Sequence, residues 1–471
     1  MKARFYIYLF IQFGFIALFI FFKQYLPSDA YLEAYTYSWL LFDFIVGFVF
    51  LQKKIIFYNP MVLYSLYNLF TVFDIWYLIG TEMSTSLFIY TTAFYTSPFI
   101  AIGKAAKYYF IAYCFLIVGY SIFSSLKISG AGKINYEIKI KKNIVYDLSI
   151  FLLLFAGCFN FYYNNFILGT SFFKNIGNLS RNLELIEKQS TTIGYFFAIV
   201  ALILYISTKT ILKNSVFYIM FVLVFLFKLS TGRIFGSLIL LLCLLYFKDL
   251  YYRTDNGSRA DFFKFFLIAV MGIVIYFFRA YLSVMQDYSS FFSFISKNIS
   301  ILLYFAFDKG NVPNVPLFMK IIDSWEYDIG FQYGKTFLAP IVGLFSNFRL
   351  CSKDALANFM PAVMAKNMWY SHVPSGNLPV TGVGECYLNF GIFGITVLMF
   401  VFGAIIAKIN SFLLICKNRH ISYMIIYFFI SFWVLYPKGE INNIDLLLPL
   451  FYFFILVIIK SISYGITRSM Q

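Results

Sequence analysis

The run SLILLLCLLYF, residues 237–247, decides the class of fold. Its apolar residues are consecutive, whereas a strand of a membrane barrel alternates in polarity over ~10 residues. Working outward, comparably apolar runs recur along the chain at lengths of ~17–24 residues. At about 1.5 Å of rise per residue, a helix of that length crosses ~30 Å of hydrocarbon. Composition points the same way. Of 471 residues, 61% are hydrophobic and 12% charged, against about 25% charged in a soluble domain. The expected fold class is all-α: a polytopic integral membrane protein with about twelve transmembrane helices.

The apolar runs place spans at 5–22, 36–51, 61–80, 106–123, 145–163, 192–208, 215–228, 231–247, 262–282, 387–407, 421–436 and 444–462. The opening MKARFYIYLFIQFGFIALFIFF has the charge and apolar run of a signal peptide but no A-x-A cleavage site, so it is read as an uncleaved first helix. No internal repeat relates the two halves, which weighs against a transporter built from repeats. The organisation expected is transmembrane helices 1–9 in residues 1–283, one large loop in 284–385, and transmembrane helices 10–12 in 386–471.

The net charge of +16 is not a nucleic-acid footprint, because the basic residues sit in short loops between spans. With a cytoplasmic N-terminus, the segments holding Lys2 and Arg4, Lys53 and Lys54, Lys139 to Lys142, Arg253 and Arg259, and Lys417 and Arg419 all face the cytoplasm. The positive-inside rule supports this orientation. An even number of spans returns the C-terminus to the same side, and the large loop then lies on the outer face. A loop of that length without a span is usually functional. Its stretch 289–307, SSFFSFISKNISILLYFAF, suits amphipathic helices at the membrane surface.

The outer face also carries cations at span ends: Lys228, Arg233, Arg279, Arg349 and Lys438. Snorkelling side chains explain part of this; an anion site explains the rest. In KLSTGRIFGSLILLL, residues 228–242, Ser230 or Thr231 can cap a helix whose positive dipole end faces outward. Arg233 adds the planar fork of donors that grips a phosphate. Arg279, in YFFRAYLS, closes the next span at the same level, either as an anchor or as a second phosphate ligand.

After the loop, WYSHVPSGNLPVTGVGECYLNFGIFG, residues 369–394, leads into a span beginning near Thr381, and its glycines let backbone amides approach a ligand. His372 is the one histidine on the outer side, since His420 is cytoplasmic, and it is a candidate general base. Glu385 is a second candidate base, and a first-turn glutamate also suits the helix dipole by itself. Lys438 and Glu440 form a charged outer turn in YPKGEINNID, residues 436–445. The six cysteines (Cys114, Cys158, Cys243, Cys351, Cys386, Cys416) include no CxxC, and HExxH, DxD and P-loop motifs are absent. No metal site, nucleotide or other cofactor is expected.

Together these features resemble the bacterial O-antigen polymerases, within the group that includes the O-antigen ligases. The resemblance rests on a dozen spans with one late outer loop, STGR (230–233) opening a span, Arg279 closing the next, and PVTGVGECYLNFGIFG (379–394) opening the span after the loop. It implies a GT-C-like, multi-pass enzyme of the bacterial inner membrane that serves lipopolysaccharide biosynthesis. Its partners would be undecaprenyl-diphosphate-linked oligosaccharides as donor and acceptor, the lipid bilayer, and a chain-length regulator protein, with no nucleic acid. Arg233 and Arg279 match the family's diphosphate-holding arginines best, then Arg349, with Lys438 as a further cation. His372 is placed like the ligases' loop histidine, but SHVPSGN does not reproduce their pattern. A ligase acting on lipid A-core and a lipid-linked oligosaccharide flippase are the competing readings.

Overall fold

The structure is a computed structural model that describes residues 2–51, 60–83, 94–125, 315–339, 341–342, 357–369 and 380–415, with isolated positions at 150–152, 154, 155, 158, 162, 293, 296 and 425. Among the described residues every element is helical. The α-helices are α1 (Lys2–Lys23), α2 (Leu32–Leu51), α3 (Pro60–Gly80), α4 (Pro98–Ser125), α5 (Val315–Asp328), α6 (Pro361–Trp369) and α7 (Gly382–Ile415). Short 3-10 turns cover Asp29–Tyr31 and Lys335–Leu338. Among the described residues, three stretches are long and apolar enough to cross a membrane: Asp29–Val49, Pro98–Ser124 and Gly382–Leu413.

The first four helices fall on the expected spans 5–22, 36–51, 61–80 and 106–123, and α7 covers 387–407 and begins where the Thr381 start was expected. The spans expected at 192–208, 215–228, 231–247, 262–282 and 444–462, with most of 145–163 and 421–436, lie outside the described residues. The chain divides into two compact units. One is Met1–Ser129, Ser300–Phe412 and Phe432–Asn443; the other is Gly130–Ile299, Leu413–Ser431 and Ile444–Gln471. Helices α1 to α6 lie in the first unit, together with α7 up to Phe412.

Helix starts follow local chemistry. Pro60, Pro98 and Pro361 each open a helix, where a fixed φ helps and a missing N–H costs nothing. Ser97 caps α4, its Oγ accepting from the Phe99 amide at 3.3 Å. Ser28 likewise caps the turn into α2, accepting from the Ala30 amide at 3.1 Å. The helices α1, α2 and α3 pack through an aromatic lattice in which Trp39 lies 4.8 Å from Trp76 and Phe15 stands edge-on to Phe42 at 5.0 Å. Within it Trp76 Nε1 donates to Ser38 Oγ at 2.8 Å, and Ser38 Oγ donates to the Tyr35 carbonyl at 2.9 Å.

Two glycines let α4 and α7 touch backbone to backbone. A Cβ on Gly119 would lie 2.1 Å from the Phe400 carbonyl oxygen, and one on Gly403 would lie 2.1 Å from that of Leu116. The contact is reciprocal, the close small-residue crossing that membrane helices use where water supplies no hydrophobic drive between them. Gly119→Ala and Gly403→Ala are each expected to force the helices apart, at about 1–3 kcal/mol. Gly14→Ala, at a position with nothing within 4 Å of the added Cβ, is the control. The thermal midpoint of the purified protein should fall in the first two variants only, and equal midpoints in all three would refute the crossing.

Candidate functional site

Residues 315–339 pack at one end of this bundle, the end at which α3 finishes and α4 and α7 begin. Residues 315–328 have no apolar run long enough for a span, yet they fold into α5 and bury Leu317, Phe318, Ile321 and Trp325 completely. Pro316 in the first turn needs no partner for its nitrogen. The Val315 amide ahead of it donates to Asp74 Oδ2 of α3 at 3.3 Å, so a carboxylate caps the positive end of α5. Leu317, Ile321 and Trp325 pack with Ala365 of α6, with Val380 just ahead of α7 and with Leu388 within it.

The inner side of α5 is fastened by Asp323. Its carboxylate accepts from the Tyr95 amide at 2.7 Å (Oδ2), from the Thr96 amide at 2.7 Å and hydroxyl at 2.5 Å (both Oδ1), and from Ser324 Oγ at 2.8 Å (Oδ2). One turn away, Lys320 Nζ donates to Ser324 Oγ at 2.5 Å and stands 5.4 Å from the Phe94 ring, 5.5 Å from Tyr95 and 5.4 Å from Trp369. Cation–π attraction offsets part of the cost of burying its ammonium. Asp328 closes the far end, accepting from Tyr95 OH at 2.8 Å and Trp369 Nε1 at 2.7 Å.

Burial pushes the Lys320 amine below its usual range, against the opposing pull of Asp328 and Asp323. Burial raises the Asp323 carboxyl, but the hydrogen bonds from Thr96, Ser324 and the two amides outweigh it and hold the group below the usual carboxylate range. A depressed carboxylate stabilises the fold above its unfolded value of about 3.9 and loses that contribution as the pH falls through the folded value. Asp323→Asn is therefore expected to destabilise the protein by about 1.5–3 kcal/mol near pH 7, the range for a hydrogen bond to a charged group. The gap in thermal midpoint from wild type should narrow as the pH is taken below ~4. A gap unchanged from pH 7 to pH 3 would count against this account.

Glu385 sits where α7 begins. Thr381 caps the helix, its Oγ1 accepting from the Gly384 amide at 3.0 Å and from Tyr109 OH of α4 at 3.2 Å, while its carbonyl accepts from the Glu385 amide at 2.7 Å. The Glu385 side chain is 3% exposed, and its Oε1 accepts from Thr336 Oγ1 at 3.0 Å. One turn on, α7 breaks at Phe390 (φ −142°, ψ 17°) and Gly391 (φ 62°, ψ −146°). The second conformation is natural only to glycine.

The carbonyls released at the break are taken up by the turn after α5. The Gln332 amide donates to the Leu388 carbonyl at 3.0 Å and the Tyr333 amide to the Asn389 carbonyl at 3.1 Å. The break also needs Gly394, where a Cβ would lie 2.1 Å from the Cys386 carbonyl oxygen.

Of the candidate site residues, Glu385 is the one the described structure contains. It is buried in the first turn of α7 and tied through Thr336 to the 3-10 turn that follows α5. His372, Arg233, Arg279, Arg349, Lys438 and Glu440 lie outside the described residues. Among the described residues no group of three His, Cys, Asp or Glu side chains converges as a metal site would require. Sequence reading passed over Asp74, Lys320, Asp323, Thr336 and Asn389. Asp74 had a signal, as a carboxylate inside an apolar run; the others had none, because their partners are distant in sequence. A comparison of the chain with protein families, with curated proteins and with solved structures finds no match.

Proposed function

We propose that this chain is a bacterial O-antigen polymerase, transferring a growing glycan from undecaprenyl diphosphate to a repeat unit on the same carrier at the outer face of the inner membrane. The observation that carries the reading is the buried carboxyl of Glu385. It stands in the capped first turn of a broken, membrane-length helix, bonded to Thr336 of the segment that follows α5. A lipid-anchored substrate reaches such a place laterally from the bilayer.

In this mechanism a hydroxyl oxygen of the acceptor sugar attacks the anomeric carbon of the donor. The bond from that carbon to the diphosphate oxygen breaks, and its electron pair leaves with the diphosphate. The hydroxyl proton passes to a base, His372 or Glu385. Arg233 and Arg279 hold the leaving diphosphate, with Arg349 and Lys438 as further cations and Glu440 beside Lys438. The diphosphate is already an activated leaving group, so the transfer uses neither nucleotide nor metal.

The test is the lipopolysaccharide of a deletion strain. Loss of the ladder with a single repeat unit retained supports the polymerase. Loss of every repeat, the single unit included, rejects it in favour of a ligase or a flippase.

A further inference from the structure

The hydrogen bonds beside Glu385 have a direction that the donor inventory fixes. Asn389 Oδ1 accepts from the Gly334 amide at 2.8 Å, and Nδ2 donates to the Glu385 carbonyl at 2.8 Å and to Thr336 Oγ1 at 2.7 Å. Exchanging the amide's oxygen and nitrogen would set Nδ2 against an N–H and Oδ1 against a carbonyl, so one orientation is allowed. Thr336 Oγ1 therefore receives a hydrogen from Asn389. It has one hydrogen of its own, and that hydrogen points to Glu385 Oε1. With Glu385 ionised, as a base is before it takes a proton, its Oε1 has no hydrogen to give and is held as an acceptor by Thr336.

We propose that Thr336 and Asn389 are positioning residues that pin Oε1 of Glu385 and leave Oε2 as the oxygen through which its carboxyl gains or loses a proton. The proposal rests on the reading of Glu385 as a base: the acceptor hydroxyl's proton passes to Oε2 as the new glycosidic bond forms and the diphosphate departs. All three side chains are buried, and the turn that supplies Gly334 and Thr336 also takes up the carbonyls of the α7 break. The orientation of the carboxyl and the break in the helix are thereby set by the same few residues.

The experiment uses the full chain in lipid nanodiscs and reads two quantities, the infrared band of the Glu385 carboxyl group and turnover of a synthetic lipid-diphosphate-linked repeat unit. The band is identified by its loss in Glu385→Gln. Thr336→Val keeps the shape and removes the donor, so it should shift the band and lower turnover about 10²-fold, the scale of a misplaced catalytic group. Thr336→Ser should restore both. Thr336→Cys, a weaker donor, should shift the band part of the way, and it carries the test if the Val variant fails to fold.

A band that stays in place in Thr336→Val or Thr336→Cys overturns the hydrogen-bond chain. A band that moves while Thr336→Val turns over at the wild-type rate overturns the positioning role. A wild-type protein that transfers no sugar from the lipid diphosphate would sink the polymerase reading, and with it the catalytic use of Oε2, while the band series still decides whether Oε1 is pinned.

Discussion

Arg233→Ala and Arg279→Ala are each expected to abolish the polysaccharide ladder while leaving the amount of protein in the membrane unchanged. The proposed reaction breaks a bond to a diphosphate, and negative charge builds on the leaving oxygen as the bond stretches. With no metal in the mechanism, that charge must be met by protein cations. A cation aimed at developing charge in a water-poor site contributes several kcal/mol to the barrier, and removing one donor of that kind typically costs about 10²–10³ in rate.

Two arginines on consecutive expected spans would suit the two phosphates, and the guanidinium fork engages an oxygen pair that an ammonium meets as a single point. Arg233→Lys and Arg279→Lys should therefore rescue poorly. The ladder on a lipopolysaccharide gel is the measurement. A wild-type ladder from Arg279→Ala would reduce that residue to an interfacial anchor, and full rescue by lysine would remove the bidentate argument.

The second large effect separates the two candidate bases. An acceptor hydroxyl attacks slowly unless its proton leaves as the bond forms, and a positioned base is worth ~10²–10⁴ in rate. His372→Gln keeps hydrogen-bonding capacity but is not a useful base, and Glu385→Gln is the matching change at the second site. In an assay with purified protein and synthetic lipid-linked repeat units, the variant that removes the base should lose that factor while keeping its thermal midpoint. Near-normal turnover in His372→Gln together with the loss in Glu385→Gln assigns the base to Glu385, and the reverse pattern assigns it to His372. Near-normal turnover in both would eliminate each as the base.

Glu385 lies in the first turn of a capped helix and is held from the side by Thr336. Its burial also suits a purely structural role, and the paired substitution decides between these roles by turnover rather than by stability.

Much of the helical framework was legible from hydrophobic run length. The expected spans 5–22, 36–51 and 61–80 correspond to Lys2–Lys23, Leu32–Leu51 and Pro60–Gly80. The expected span 106–123 starts later than Pro98, beyond the charge of Lys104, although Ser97-Pro98 is a cap followed by a helix-opening proline. Glu385 was visible as a carboxylate beside a Gly-rich helix start. Its burial and its attachment to Thr336 were not, because the two are separated by 49 positions in the chain. NFGIFG falls within the expected span 387–407, and the helix breaks there at Phe390 and Gly391, where the amides of Gln332 and Tyr333 donate to the freed carbonyls of Leu388 and Asn389.

What the sequence by itself determined is the class of fold. Apolar runs of membrane length must close their hydrogen bonds within each segment, since hydrocarbon offers no partner. That requirement is local, so it can be read residue by residue. The tertiary structure decided what gathers at the end of the bundle. Asp323 takes the amides of Tyr95 and Thr96, whose positions lie 228 and 227 residues away, Asp74 caps a helix 241 residues further on, and the crossing of α4 with α7 turns on two glycines. Such pairings leave no periodicity in the sequence, because each exists only once the folded chain has brought a buried donor to a buried acceptor that nothing nearer could satisfy.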